Sequence, residues 1–239
     1  MKNGCIIIPC FNEATNIARV IDELVPYSEN LEIVVINDAS TDQTSETAKR
    51  SEKATVLDLP ANLGVGGAVQ TGLKYAKSMK YSYAVKFDGD GQHPPDAIQA
   101  LLKPLIDGQA DISVGSRFLD NNTGFKSSLL RRLGIRFFGI LCYILTGQKF
   151  TDPTSGLRAY NQKAIGFMAS HYPTFDYPEP EELVLASMND IRVREIPVSM
   201  RERLSGESTI SSTMSVYFML KVTLAMIFIY LRASKQIRK

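Results

Sequence analysis

Two aspartates and a glutamine follow an apolar run near the middle of the chain, in the segment AVKFDGDGQHPPD at residues 84–96. Asp88, Asp90 and Gln92 alternate with other small or polar residues, and Asp, Gly and Pro are also what an ordinary surface turn is made of. Carboxylate and amide oxygens are, however, the ligands that Mg²⁺ and Mn²⁺ prefer. The segment therefore has two interpretations, a structural turn or a metal site.

Short apolar segments alternate with longer amphipathic ones through the first half of the chain. Five runs rich in β-branched residues predict strands at residues 5–9, 33–37, 55–59, 83–87 and 112–116. Four intervening stretches predict helices at residues 13–25, 41–52, 66–79 and 95–106, with Ser40 or Thr41 as the N-cap of the second. This alternation predicts an α/β fold, with a mostly parallel sheet flanked by helices.

Three aspartates follow predicted strands at the same edge of this sheet. Asp38 comes after the second strand, and Asp88 and Asp90 come after the fourth. The loops at the carboxyl ends of parallel strands line the ligand crevice in such folds, so we expect the three carboxylates to face one crevice. Like charges at close range raise each other's pKa unless a cation neutralises them. Mg²⁺ or Mn²⁺ held by Asp88, Asp90 and Gln92 would do so and would bridge to substrate phosphates.

Charge and cysteine content exclude several classes of protein. The 239 residues include 27 Lys and Arg against 25 Asp and Glu, so we expect no bulk attraction for nucleic acid. The three cysteines, Cys5, Cys10 and Cys142, are odd in number and lack CxxC spacing, which argues against a disulfide scaffold and a zinc knuckle. We expect buried or incidental thiols, with Cys5 and Cys10 on opposite faces of one strand. Free thiols and the lack of a leader favour the cytosol or the cytosolic face of a membrane.

The segment NLGVGGAVQTG at residues 62–72 is rich in glycine but does not fit a dinucleotide-binding loop. Val69 occupies the third glycine position of the G-x-G-x-x-G pattern, and the segment follows the third strand rather than the first. We therefore expect neither NAD nor FAD. The glycines either let the backbone approach a ligand closely or form a tight loop.

Two apolar segments of the second half carry basic residues. LLRRLGIRFFGILCYILTG at residues 129–147 contains three arginines, and the last stretch, from residue 215, ends in four basic residues. Neither gives a charge-free run long enough for a membrane span, and both suit the interface of an anionic bilayer. The alternative is a core helix followed by a solvated tail. We expect a catalytic domain at 1–210 and, at 211–239, a helix for peripheral membrane attachment, self-association or a small membrane-protein partner.

Six blocks of the sequence occur in the order and spacing of a known enzyme family. They are IIIPCFNE, VINDASTDQT, NLGVGGA, FDGDGQHPPD, VGSRF and TDPTSGLRAY. Over residues 4–210 the chain resembles the family-two glycosyltransferases, in particular the dolichyl- and polyprenyl-phosphate sugar transferases. The resemblance implies a GT-A fold, a nucleoside-diphosphate-sugar donor, Mg²⁺ or Mn²⁺, and inversion at the anomeric carbon.

Matching the family's motifs position by position implies a set of site residues. The nucleoside would be contacted by Pro9, Phe11, Glu13 and Asp38, with Asn62 and Gly64 beside it, and the metal and diphosphate by Asp88, Asp90 and Gln92. Phosphates would be met by Arg117, one arginine among Arg131, Arg132 and Arg136, and Arg203, with Ser208 in the segment RERLSGEST that resembles the loop closing over the donor. The chain departs from the family at Phe11, Val65 and Gly89, which leaves the donor base open.

The nature of the acceptor depends on the side chains that meet it. A phosphate acceptor is already ionised at neutral pH, whereas a hydroxyl acceptor needs a carboxylate to take its proton. Arg117, Arg131 and Arg136, beside an apolar segment, suit polyprenyl phosphate. Asp152 and Glu181 are candidate bases for a hydroxyl of a lipid-linked glycan. Asp152 could instead cap a turn. The segment DYPEPEEL, which contains Glu181, could instead be a turn that leads into a helix at 181–189.

Two further questions stay open at this point. A non-catalytic subunit that binds a nucleotide sugar and partners a membrane protein is an alternative to an enzyme, although the intact DGDGQ and the arginines favour the enzyme. His93 either contacts a phosphate or the metal, or shapes the loop. We expect His171 to be a surface loop residue.

Overall fold

The computed structural model describes residues 2–120, 129–201 and 212–237. The strands in this part of the chain form a single seven-stranded sheet in the order β3-β2-β1-β4-β6-β5-β7. They are β1 (Gly4–Cys10), β2 (Leu31–Asn37), β3 (Thr55–Asp58), β4 (Tyr83–Lys86), β5 (Ile112–Ser116), β6 (Arg158–Asn161) and β7 (Val193–Pro197). Among these strands only β6 runs antiparallel to its neighbours, so the predicted mostly parallel sheet is confirmed.

Helices connect these strands. They are α1 (Ile17–Leu24), α2 (Thr44–Arg50), α3 (Gly64–Ser78), α4 (Ala97–Ile106), α5 (Leu129–Thr146), α6 (Gln162–His171), α7 (Glu179–Ser187) and α8 (Ser212–Ile237). The four predicted helices are present, but α2 begins at Thr44 and neither Ser40 nor Thr41 is its N-cap. These two residues instead bond to Asn12 in the loop after β1, through Ser40 Oγ at 3.0 Å and the Thr41 N–H at 2.9 Å.

The sheet divides the core into two layers. Alternate residues of β1 point to opposite faces, so that Ile7 packs in one layer and Ile6 in the other. Cys5 and Cys10 also lie in opposite layers, as predicted, and all three cysteines are buried and free. The sequence DYPEPEEL contributes the beginning of α7, which starts at Glu179 rather than at the predicted residue 181.

The strand β6 was not predicted because its sequence, RAYN, is neither apolar nor alternating. It lies between β4 and β5 and pairs antiparallel with both. Arg158 in this strand is fully buried, together with Tyr160. Because a charged residue occupies a core position, this strand cannot be predicted from apolar runs.

The helices α5 and α8 lie together with α7 on one face of the molecule. Phe138 of α5 and Phe218 of α8 meet edge to face, with ring centroids 5.7 Å apart. Val222 and Met226 place one side of α8 in the core. Within the described ranges, no helix is both long and apolar enough to cross a membrane.

Candidate active site

The loops after β1, β2 and β4 lie at the carboxyl edge of the sheet, and those after β2 and β4 carry Asp38, Asp88 and Asp90. β1 lies between β2 and β4 and is parallel to both. The Asp38 N–H donates to the carbonyl of Cys10 at 2.8 Å, and the Phe87 N–H donates to the carbonyl of Ile7 at 2.9 Å. These bonds extend the strand pairing to the point where the candidate site residues begin.

Pro9 lies in β1, next to its last residue, and the loop that follows carries Phe11 and Glu13. Phe11 is 47% exposed, so its ring is available to a ligand. The Glu13 N–H donates to Thr44 Oγ1 at 2.8 Å, and its carboxylate accepts from the Asn16 side chain at 2.8 Å. The backbone of this loop is thereby fixed against the start of α2.

Asp38 connects the second loop to the third. Its Oδ1 accepts the Leu63 N–H at 2.7 Å, and Asn62 Oδ1 accepts the Gly64 N–H at 3.1 Å. Burial raises the pKa of Asp38, although the Leu63 and Gly64 N–H groups oppose that shift. Asp38, Asn62 and Gly64, which the family resemblance places at the nucleoside, therefore lie together in one hydrogen-bonded turn.

The glycines at the start of α3 allow another segment of the chain's backbone to pack closely against them. The Gly66 N–H donates to the Phe175 carbonyl at 2.7 Å. A Cβ atom on Gly66 would collide with the carbonyl oxygens of Thr174 and Phe175, and one on Gly64 would lie 2.7 Å from the latter. Gly64 also has a positive φ of 74°. The predicted close approach was to a ligand, whereas the partner observed here is the chain's own segment before α7.

Asp88 is held as a carboxylate at the end of β4. His93 is buried, and its Nε2 lies 2.8 Å from Asp88 Oδ2. Burial favours the neutral acid, but His93, Lys86 and Arg117 outweigh it and hold the pKa of Asp88 well below its usual range. A Cβ atom on Gly156 would lie 2.7 Å from Asp88 Oδ2, so the loop after Asp152 packs directly on this carboxylate.

Asp90 and Gln92 form the turn that follows. Asp90 Oδ1 accepts the Gln92 N–H at 3.0 Å, a bond typical of turns. The carbonyl of Gln92 accepts the Arg201 N–H at 3.0 Å, and the Arg201 side chain donates to Glu23 Oε2 at 2.6 Å. The segment is therefore a turn, and the turn presents the residues that were predicted to hold a metal.

Arg117 and Asp152 bind each other. The guanidinium donates to both carboxylate oxygens, from Nε at 2.6 Å and from a terminal nitrogen at 2.7 Å. Both side chains are buried, and the Asp152 N–H donates to Glu195 Oε1 at 2.7 Å. A carboxylate in a buried bidentate pair is a poor proton acceptor, so this geometry argues against Asp152 as a general base.

Glu181, the second candidate base, lies in the first turn of α7. Its residue is 1% exposed, and its Oε1 has no hydrogen-bond partner among the described atoms. Burial raises its pKa to about 8, with Lys221 of α8 acting in the opposite direction. The neighbouring Glu179 and Glu182 are paired with buried cations, Lys86 and Arg158.

The remaining phosphate-site candidates belong to α5 and to residues outside the described ranges. Arg132 and Arg136 are exposed on α5. Arg131 lies in α5, and its side chain is outside what the structure describes, as are Arg203 and Ser208. His171 ends α6 and is exposed, so the prediction of a surface position is confirmed but not that of a loop.

The donor set at this edge suits a hard divalent ion. His93, Lys86 and Arg117 keep the pKa of Asp88 low, and its side chain is 34% exposed. Asp90 and Gln92 lie in the same turn. In the described ranges no group of three or more His, Cys, Asp or Glu side chains is arranged to hold an ion by itself. Mg²⁺ is commonly bound by one or two carboxylates together with substrate phosphates, so this set fits an ion that arrives with the donor.

Two contributors to the site were not assigned a definite role from the sequence. Lys86 is the last residue of β4. In the sequence it lies inside an apolar run and was interpreted only as part of a strand. For His93 a contact with a phosphate or the metal and a loop-shaping role were both open, and the contact observed is with the Asp88 carboxylate. The signal for both was their distance of two and five positions from Asp88.

Comparison with known proteins identifies the class. Residues 5–167 match the family model for glycosyl transferase family 2. The chain therefore belongs to this family and is a glycosyltransferase, which confirms the predicted family and enzyme class and leaves the non-catalytic alternative without support.

Three relatives are similar to this chain over most of their length. An uncharacterized protein of Methanocaldococcus jannaschii is 32% identical over 81% of this chain and 79% of its own. The UDP-N-acetylglucosamine–dolichyl-phosphate N-acetylglucosaminyltransferase of Methanococcus voltae is 31% identical, over 81% of this chain and 83% of its own. The polyprenol monophosphomannose synthase of Mycolicibacterium smegmatis is 26% identical, over 87% and 81%.

Solved structures establish the fold. Glucosyl-3-phosphoglycerate synthase from Mycobacterium tuberculosis, in complex with UDP, has a TM-score of 0.73 at 18% identity, covering 96% of this chain and 80% of that one. The same enzyme with Mn²⁺, UDP and glucosyl-3-phosphoglycerate has a TM-score of 0.69. The predicted GT-A fold is confirmed.

Proposed function

We propose that this glycosyltransferase moves a sugar, with inversion, from a nucleoside-diphosphate sugar to polyprenyl phosphate at the cytosolic face of a membrane. An acceptor phosphate oxygen forms the new bond to the anomeric carbon while the bond from that carbon to the diphosphate breaks. The nucleoside diphosphate leaves with the bonding electrons. Two relatives named for dolichyl-phosphate or polyprenol-phosphate products support this acceptor class.

The observation that carries the choice of acceptor is the state of the two candidate bases. Asp152 is engaged by Arg117 through both oxygens. Glu181 is covered in the first turn of α7, which packs against α8. A hydroxyl acceptor needs an accessible carboxylate within hydrogen-bond reach, whereas an ionised phosphate does not. The geometry therefore favours the phosphate.

The residues at the carboxyl edge of the sheet would bind the metal, the nucleoside and the phosphates. Asp88, Asp90 and Gln92 would hold Mg²⁺ or Mn²⁺, which when bound stabilises the negative charge of the departing diphosphate. Pro9, Phe11, Glu13 and Asp38, with Asn62 and Gly64, would receive the nucleoside. Arg117 lies close enough to Asp88 to lower its pKa, but its guanidinium is buried and bound to Asp152. Arg132 and Arg136, which are exposed on α5, would meet the acceptor phosphate.

The helices α5 and α8 support attachment to an anionic bilayer. Each has large apolar side chains exposed on the side away from its buried residues, and we call these together the apolar face: Leu133, Phe137, Ile140 and Ile144 on α5, and Tyr217, Leu220, Leu224, Phe228 and Leu231 on α8. Neither helix contains Asp or Glu, and each contains three basic residues. Two copies pairing through this face would bring like charges together, whereas an anionic lipid surface would neutralise them.

A donor panel tests the reaction. Purified protein is incubated with Mn²⁺ and each nucleoside-diphosphate sugar, with polyprenyl phosphate or with a membrane-lipid extract, and product masses are measured. We expect a polyprenyl-phosphate sugar, and its loss in Asp90→Ala. Glu181→Gln should still transfer to phosphate. A product formed only from a lipid-linked glycan, and abolished by Glu181→Gln, would establish the hydroxyl acceptor instead.

A further inference from the structure

Two buried cations on neighbouring strands bind the first turn of α7. Lys86, at the end of β4, is 1% exposed and donates to Glu179 Oε1 at 2.7 Å. Arg158, in β6, is fully buried and lies 3.0 Å from Glu182 Oε2. Glu182 also accepts the Tyr172 hydroxyl at 3.1 Å. The two glutamates are one helical turn apart, so they face the sheet from the same side of α7.

Arg158 also holds the loop between α5 and β6. Its Nε donates to the Ser155 carbonyl at 3.0 Å, and a terminal nitrogen donates to the Pro153 carbonyl at 3.3 Å and to the Glu179 carbonyl at 2.7 Å. One guanidinium therefore connects the start of α7 to the TDPTSG segment. Its full burial means that water cannot replace a partner that is lost.

Each connection ends at a residue of the candidate site. Lys86 is the last residue of β4 and precedes Asp88 by two positions, so its ion pair with Glu179 fixes the backbone from which the DGDGQ turn begins. The loop held by Arg158 contains Asp152, which binds Arg117, and Gly156, which packs on Asp88. Glu179 thus acts on the metal turn through β4, and Glu182 acts on it through the loop.

We propose that Glu179 and Glu182 are positioning residues for the metal–diphosphate site. They fix two buried cations and, through them, the two backbone segments that meet at Asp88. This assignment rests on the proposed function, because it presumes that Asp88 binds a metal and the donor diphosphate. It gives the PEPEE sequence a role distinct from that of a catalytic base.

A purely structural role would predict a different result on mutation. Loss of one partner from a buried ion pair destabilises any fold, wherever the pair lies. Positioning predicts in addition that the metal is bound more weakly, since the groups that orient a metal ligand typically contribute ten- to a hundredfold to affinity. The two roles are separated by measuring metal binding and unfolding on the same variants.

A matched control is available at the opposite edge of the sheet. Asp111 is 2% exposed and pairs with Arg192 at 3.1 Å and Lys163 at 3.3 Å. It precedes β5 directly, at the amino edge, whereas the candidate site lies at the carboxyl edge. Asp111→Asn therefore removes a buried, paired carboxylate of similar kind without touching the site.

The experiment compares wild type, Glu179→Gln, Glu182→Gln and Asp111→Asn. Mn²⁺ affinity is measured by calorimetry with nucleoside diphosphate present, and thermal unfolding is followed by circular dichroism. We expect all three variants to melt at lower temperature, and only the two glutamate variants to bind Mn²⁺ about ten- to a hundredfold more weakly. Donor KM should rise in the same two variants more than kcat falls.

The outcomes distinguish this inference from the proposed function. If the wild type does not bind Mn²⁺ with the diphosphate, the proposed metal site is wrong. If wild type and all variants bind Mn²⁺ equally well, the site stands and the positioning role is overturned. If a glutamate variant fails to fold, Glu179→Asp and Glu182→Asp, which keep the charge, should restore folding and leave an intermediate Mn²⁺ affinity, and wild-type affinity in both would also overturn it.

Discussion

The buried guanidinium of Arg117 donates hydrogen bonds to both carboxylate oxygens of Asp152, at 2.6 and 2.7 Å. Two candidates that sequence reasoning assigned to separate tasks, phosphate binding and proton abstraction, are thereby a single unit. The pair joins the end of β5 to the loop before β6, on the side where that loop contacts Asp88.

Asp152→Asn should therefore act first on stability. Removing one charge of a buried pair leaves the other uncompensated, and we expect a loss of about 3–5 kcal/mol in the free energy of unfolding. Urea unfolding followed by circular dichroism measures it. Arg117→Lys should lose less, because it keeps the charge but not the bidentate geometry. Wild-type stability in Asp152→Asn would contradict the observed pairing.

The contact between α3 and the segment before α7 can be tested with two glycines. Gly66→Ala should destabilise the protein by about 1–3 kcal/mol, because its Cβ would meet two carbonyl oxygens. Gly166, inside α6, has no other atom within 4 Å of such a Cβ. Gly166→Ala should stabilise the protein by up to about 1 kcal/mol through helix propensity. Thermal melts of the two variants should move in opposite directions.

Glu181 makes stability depend on pH. Burial raises its pKa to about 8 from an ordinary value of 4.5, so the folded protein keeps a proton that the unfolded chain releases. Its contribution is complete below about pH 4.5 and is lost as the pH rises to about 8. Relative to wild type, Glu181→Gln should therefore be more stable at pH 8 than at pH 5, by urea unfolding. Glu29→Gln, at an exposed position, should show no such difference.

The apolar face of α5 and α8 predicts binding to anionic vesicles. Ile140→Asp and Phe228→Asp, which place a negative charge at positions 62% and 67% exposed, should each weaken binding at least several-fold. Vesicle sedimentation at two salt concentrations measures the change. Ile106→Asp, at an equally exposed site on α4, is the control and should bind as wild type does. Unchanged binding in all three variants would contradict attachment through this face.

The first half of the fold follows from sequence pattern. Strands β1, β2 and β5 are almost wholly buried and rich in β-branched residues, and the loops after the first-half strands carry the polar residues expected at the carboxyl edge of a parallel sheet. The second half does not follow in the same way. β6 contains a buried arginine, and its position between β4 and β5 depends on pairing between residues far apart in the chain.

The candidate residues of the site could be named from the sequence, but the contacts between them could not. Residue type and spacing identify Asp88, Asp90 and Gln92 as candidate metal ligands. That Asp152 would bind Arg117, 35 positions away, is not coded locally, because either side chain alone fits a catalytic role equally well. Side chains that hold other side chains, such as Lys86 and Glu182, carry no motif of their own.

The Lys86–Glu179 pair joins residues that are 93 positions apart. During synthesis from the amino terminus, the residues of β4 are made long before those of α7. Lys86 therefore has no Glu179 to pair with until most of the strands have been synthesised. The matched family region ends at residue 167, short of that partner. A fragment cut there would contain the whole DGDGQ turn and still leave two interior cations without their acids, so the smallest piece that completes this turn extends at least through Glu182.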